Sequence, residues 1–180
     1  MQHMKKHGMQ LICVILTWFA MTCAQAQGDA DVLVARDLAA ESQVAQAKRM
    51  PVMVLFMSPQ CPYCEQVLKE FLLPMQHNPG YRDKVVMRQI VIDSNAKLID
   101  FAGHTTTHAQ FAAQNKIKLV PTIKMFDARG RELTEPLVGL LTPDFYGSYL
   151  DQIIDEALAK VRNGSSSKLG TAFAIRTALH

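Results

Sequence analysis

Cys61 and Cys64, in the run Ser58-Pro59-Gln60-Cys61-Pro62-Tyr63-Cys64, have the residue type and spacing for covalent redox chemistry. An apolar segment precedes them and a helical pattern follows, so Cys61 is expected at or next to a helix start. A helix N-terminus presents unpaired N–H groups and the positive end of the helix dipole. Both stabilise a thiolate, the form of cysteine that attacks disulfides. Cys64 falls on the same first turn, close enough to close a small disulfide ring. Pro62 suits that turn, because its φ is preset and its missing N–H would be orphaned anyway. The stretch therefore predicts a dithiol couple, with Cys61 as nucleophile and Cys64 as resolving thiol. The competing use of this spacing is half of a metal site. Zinc ribbons need the Cys-x-x-Cys pair twice, or followed by two histidines, and no second Cys-x-x-Cys exists.

The elements that must position this pair are readable from hydrophobic periodicity. Residues 51–57 are apolar throughout, which predicts a strand buried on both faces. Residues 62–73 have helical spacing and are expected to end at Pro74. A helix is expected from Asp29 to Lys48, and Asn78-Pro79-Gly80 marks a turn. Lys84 to Ile92 reads as a second central strand, ending in Asp93-Ser94-Asn95. Lys97 to Thr107 reads as loop, partly extended at residues 98–101. Thr105, Thr106 and Thr107 offer cap oxygens for a helix through Phe111 to about Asn115. His104 and His108 have a metal-ligand spacing, but the cap falls between them, and no acidic or thiol ligand is nearby in sequence. Residues 118–126 and 131–134 predict a hairpin with a polar edge strand, its turn closed by Gly130 and Pro121 at its start. A last helix is expected to begin at Thr142-Pro143-Asp144. Phe145, Tyr149, Leu150, Ile153, Ile154, Ala157, Leu158 and Val161 trace its apolar face, and Asn163-Gly164 its end.

Residues 1–26 have the pattern of a secretory signal: Lys5 and Lys6, an apolar core over 11–20, and Ala24-Gln25-Ala26 as a small-x-small cleavage site. The expected organisation is a signal peptide at 1–26, one domain at 27–163 and a C-terminal tail at 164–180. Removing Lys5 and Lys6 leaves 17 of the 19 Lys and Arg against 16 Asp and Glu, so charge gives no reason to expect a nucleic-acid partner. Cys13 and Cys23 leave with the signal. Any disulfide within the exported chain is then the one between Cys61 and Cys64.

The element order, with Cys61-Pro62-Tyr63-Cys64 after a buried strand, Val120-Pro121-Thr122 opening a hairpin, and Gly139 before a closing helix, resembles the thioredoxin family over residues 50–161. The implied fold is α/β and thioredoxin-like: a central mixed sheet flanked by helices, here with an extra N-terminal helix. Within the family, the export signal and the stretch Asp100-Phe101-Ala102-Gly103 to His108 look like the SoxW-type periplasmic proteins. The resemblance implies a protein-disulfide oxidoreductase, expected to run as a reductase, with Cys61 attacking and Cys64 resolving. It makes Pro121 a cis-proline beside which Val120 pairs with a substrate backbone, and Pro62 and Tyr63 the dipeptide that tunes the potential. It implies no cofactor and no metal. The partners it implies are disulfide-containing proteins, a membrane thiol donor if the protein is a reductase, and no nucleic acid; the protein is expected to be a monomer in the periplasm. Two departures stand out. The family's buried Asp six residues before the attacking cysteine is Leu55, leaving Glu65 or a water to accept the resolving thiol's proton. The Trp before the first cysteine is Gln60. Alternative readings are a thiol oxidase or isomerase, and a copper-binding protein using the two cysteines with Met50, Met53, Met57 or Met75.

Overall fold

The computed structural model describes residue 32 and residues 34–177, without the side chains of 165–177; the expected signal at 1–26 lies outside them. Helix α1 spans Leu38–Lys48. It starts later than Asp29 because Val34 and Asp37 are extended, bridging to Gln89 and Ile99. The Asp37 carboxylate accepts the Ala40 amide at 2.8 Å and caps the helix. Leu38, Ser42 and Ala45 face the interior at helical spacing, and Arg49, at φ 54°, ends the helix in a left-handed turn.

Strand β1, Val52–Met57, is buried at every residue. Strand β2 is Val86–Val91 and β5 is Thr122–Phe126. β1 runs parallel to β2 and antiparallel to β5. Two-residue β6, Leu137–Val138, completes a sheet of order β2-β1-β5-β6. Alternation sends Met53, Leu55 and Met57 into one core cluster and Val52, Val54 and Phe56 into another on the opposite face. This is why β1 has no polar position: each face of the central strand is covered by helices.

The structure corrects several sequence expectations. β2 pairs with β1 on one side, and among the described residues no strand pairs with its other edge, which carries the isolated Val34 bridge, so it is not central. Residues 97–107 are not loop alone. Lys97–Ile99 (β3) and Thr105–Thr107 (β4) form a separate antiparallel ribbon. Residues 131–134 do not form the edge strand. The turn after Phe126 curls back on Asp127, whose N–H donates to the Arg131 carbonyl, and Glu132 keeps a single bridge to Phe126. Leu137–Val138 takes the edge instead.

Helix α2 continues past Pro74. It comprises Pro62–Gln66, a wider-turned stretch Val67–Leu72, and Leu73–His77. A proline in a regular helix collides with the carbonyl four residues back and leaves it unbonded. Here the Leu73 N–H reaches back five residues to Leu68, so Pro74 follows a turn already widened. Helix α3 is His108–Gln114, with the Thr107 side chain and Gln110 closing a capping box. Helix α4 runs Pro143–Thr177 and does not stop at Asn163-Gly164, because Gly164 makes no left-handed turn. Its buried face is Tyr146, Leu150, Ile154, Ala157 and Leu158; Phe145 and Tyr149 are exposed.

Candidate active site

β1 delivers the chain to the site. The Cys61 N–H donates to the Ser58 carbonyl at 3.1 Å, a tight turn that reverses direction from strand to helix. Cys61 is the N-cap of α2, and its Sγ accepts the Cys64 N–H at 3.1 Å. Pro62 occupies the first turn, as its missing donor allows. Cys61 and Cys64 form a disulfide with Cα atoms 5.2 Å apart. Cys61 is half-buried, Cys64 is fully buried, and Pro62 and Tyr63 are exposed. One sulfur of the bond is thus approachable from solvent and the other is not.

The second wall is the loop entering β5. The Val120–Pro121 peptide bond is cis, and the Val120 carbonyl oxygen lies 3.7 Å from Cys61 Sγ. Two further bonds hold this loop. The Thr122 hydroxyl donates to the Leu119 carbonyl at 2.8 Å, and the Gly139 N–H donates to the Pro121 carbonyl at 2.7 Å. Gly139 makes that bond at φ 75°, a backbone position that favours glycine. The structure therefore brings together Cys61, Cys64, Val120 and Pro121, residues 60 apart in sequence, with Pro62 and Tyr63 on the same rim.

The surroundings of Cys64 are apolar. Leu55 is fully buried in the same cluster, where a carboxylate would otherwise stand. Glu65 does not replace it: its side chain is exposed and bonds Lys69 at 2.5 Å. That hydrogen bond, with the lysine's charge behind it, holds Glu65 below the usual glutamate range. Lys124 is also buried but sits opposite Val54, on the other face of the sheet, donating to the Asn115 carbonyl and pairing with Glu132. Tyr146 belongs to the cluster around Cys64. Its hydroxyl has no hydrogen-bond partner among the described residues, and burial pushes its pKa up.

The metal-ligand spacings do not assemble. His108 is buried between two backbone groups, with Nδ1 accepting the Val91 N–H at 3.1 Å and Nε2 2.8 Å from the Ala35 carbonyl. His104 is outside the helix and lies 3.5 Å from Asp100. Met53, Met57 and Met75 are buried in the Cys64 cluster, whereas Met50 belongs to the opposite one.

A buried β1, a helix capped by Cys61 and a cis-proline facing it coincide with a match to the family model described as "Thioredoxin-like domain" over residues 38–154. The chain belongs to the thioredoxin-like family. With its Cys61–Cys64 pair, it is a thioredoxin-fold thiol–disulfide oxidoreductase. Solved structures of similar fold include thioredoxin O2 from Arabidopsis thaliana in the oxidised state, with TM-score 0.46 and 18% identity over 71% of this chain and 97% of that one. Mitochondrial thioredoxin 3 from Saccharomyces cerevisiae, oxidised form, gives TM-score 0.47 and 13% identity over 69% and 94%. Trxlp from Edwardsiella tarda gives 0.45 and 22% over 62% and 91%. No curated protein matches significantly.

Sequence reasoning missed Tyr146, because Phe145 beside it fits the helical period equally well. It also missed the exposure of Leu119, two residues before Pro121, and of Leu141, two residues after Gly139. Their signal was present as apolar residues next to Val120 and Gly139, where a loop is ordinarily polar.

Proposed function

We propose that this oxidoreductase is an exported, periplasmic reductase of protein disulfides, with Cys61 attacking and Cys64 resolving. The Cys61 thiolate forms a bond to one substrate sulfur while the other leaves as a thiolate and takes a proton. Cys64 then attacks Cys61 Sγ, the mixed disulfide breaks, and the substrate departs with two electrons as a dithiol. The observation that carries this reading is the asymmetry of the pair: Cys61 caps a helix and is half-buried, and Cys64 is sealed beneath it. Helix N–H groups stabilise the Cys61 thiolate. Burial keeps Cys64 from outside disulfides until Cys61 carries one. Val120 and Pro121 offer backbone to an extended substrate segment, and Pro62 and Tyr63 tune the potential.

Lys5, Lys6, the apolar run 11–20 and Ala24-Gln25-Ala26 support export. A reductase in an oxidising compartment needs its own electron supply, and a membrane thiol transporter is the class of donor that fits. Replacing Cys61 with Ser should abolish reduction of insulin disulfides; retained turnover would end the assignment. The direction is tested by equilibrating the dithiol with a glutathione or dithiothreitol couple. A potential of about −250 mV or below fits a reductase, and one above about −180 mV makes the protein an oxidase or isomerase.

A further inference from the structure

Two buried hydroxyls lack a hydrogen-bond partner among the described residues, those of Tyr146 and Thr134. Folded proteins ordinarily avoid the cost of such groups. Thr134 is remote from the dithiol: the residue before it, Leu133, bonds the Met125 carbonyl, and Met125 pairs with Met53 near the start of β1. Tyr146 is 1% exposed and shares its core cluster with Cys64 and Leu55. Its direction follows from its helix. α4 begins at Pro143, four residues after Gly139, whose N–H holds the Pro121 carbonyl. The N-termini of α4 and α2 therefore both lie at the dithiol end of the molecule. Long helical side chains lean toward the N-terminus of their own helix. The Tyr146 ring packs on Phe71, about two turns beyond Cys64 on α2, with centroids 4.9 Å apart. A ring leaning that way from Phe71 carries its hydroxyl toward Cys64.

Cys64 needs a group of this kind. To resolve a mixed disulfide it must become a thiolate, and burial among apolar side chains opposes that charge. β1 offers it Leu55 and Met57, β5 Ile123 and α2 Val67, none of them polar. The other buried titratable side chains face elsewhere: His108 at the outer edge of β2, Lys124 on the opposite face of the sheet, Asp127 in the turn after β5. Glu65 on α2, Asp93 after β2, Lys118 before the cis-proline and Asp144 on α4 are exposed. We infer that the Tyr146 hydroxyl donates a hydrogen bond to the Cys64 sulfur once the disulfide opens, directly or through one water, and so stabilises the resolving thiolate where no buried carboxylate assists it. The inference rests on the exchange reading above. In the disulfide the Cys64 sulfur carries no charge to attract a donor, and the hydroxyl is unpartnered there. Burial raises the Tyr146 pKa, so the group keeps its proton and serves as a donor, not a base. The Cys64 proton passes to solvent. The Cys64–Cys61 bond then forms as the bond from Cys61 to the substrate sulfur breaks, and the departing thiolate takes up a proton.

The test mixes reduced protein with dithionitrobenzoate, an aromatic disulfide whose released thiolate is coloured, in a stopped-flow cell. The first thiolate reports attack by Cys61, and the second, released at a rate independent of reagent concentration, reports resolution by Cys64. Tyr146→Phe deletes only the hydroxyl and keeps the ring on Phe71. A hydrogen bond to a charged group is worth about tenfold in the thiolate equilibrium. A thiolate of higher pKa is also intrinsically more reactive, by roughly the square root of that factor. Tyr146→Phe should therefore slow the second phase about threefold at pH 7 and raise its pH midpoint by about one, leaving the first phase as it is. At a pH above both midpoints the variant should be no slower than wild type. Thr134→Val, which removes the other unpartnered hydroxyl, should change neither phase. A second phase with the wild-type pH profile, both phases slowed together, or the same shift in Thr134→Val would overturn the inference and leave the exchange reading standing. Wild-type protein that releases no coloured thiolate, or only one, would overturn the exchange reading and this inference with it.

Discussion

The imidazole of His108 is held at both nitrogens by backbone, with the Val91 amide donating to Nδ1 and the Ala35 carbonyl facing Nε2. Those partners assign the tautomer: Nε2 carries the proton. They also assign the residue's use, which is to tie the segment before α1 to the outer edge of β2 from the first residue of α3. Leucine would fill the space and leave the part-buried Val91 N–H and the buried Ala35 carbonyl without this partner, each a desolvation cost with no return. His108→Leu should lower unfolding free energy by about 2–4 kcal/mol, read from urea denaturation. A loss under about 0.5 kcal/mol would mean that water replaces the imidazole at both groups. The sequence offered this histidine as half of a metal spacing. Its structural role was illegible because both partners are backbone atoms, which leave no trace in residue identity.

At the scale of elements, the turn between β5 and β6 is organised by one carboxylate. Asp127 accepts the Arg129 and Arg131 amides at 2.8 and 3.0 Å and the Arg131 guanidinium at 2.7 Å. Gly130 closes the turn at φ 73°, and a Cβ there would meet the Phe101 side chain at 2.8 Å. Burial alone would raise the Asp127 pKa; the bonds from Arg131 and Arg129 outweigh it and hold the group below the usual aspartate range. A carboxylate depressed in the folded state adds stability above its unfolded pKa of about 3.9 and loses it as pH falls through the folded value. Asp127→Asn should therefore cost about 1–2 kcal/mol at pH 7. The gap from wild type should close as pH drops below about 4. Unfolding midpoints measured across that range check this, and a gap that stays constant would contradict it.

The same scale explains which elements were legible. β1 and the start of α2 follow from local rules: seven apolar residues in a row, then a turn, a capping cysteine and a proline at the first helical position. β6 has two residues and exists only because the Asp127 turn places Leu137 and Val138 beside Ile123 and Thr122. In α4 the period could not choose between Phe145 and Tyr146, and packing of Tyr146 on Phe71 decides it. The widened turn before Pro74 belongs to a helix whose two ends are both held, so the proline bends the hydrogen-bond pattern instead of ending the element.

For the whole molecule, the sheet order puts the C-terminal end of β1 and the start of β5 side by side at one end of the sheet. That adjacency sets Cys61 against Val120, and it comes from the antiparallel pairing of Phe56 with Thr122. Thus the dithiol and the cis-proline were both visible as short motifs, while their contact depended on topology. The central claim is the division of labour between the two sulfurs, and a covalent trap tests it most directly. Reduced Cys64→Ser protein, mixed with insulin, should accumulate a mixed disulfide at Cys61, seen as one added insulin molecule by mass and released by dithiothreitol. Reduced Cys61→Ser protein should form none, because the remaining thiol is fully buried. An adduct on Cys61→Ser equal to that on Cys64→Ser, or none on either, would contradict the account.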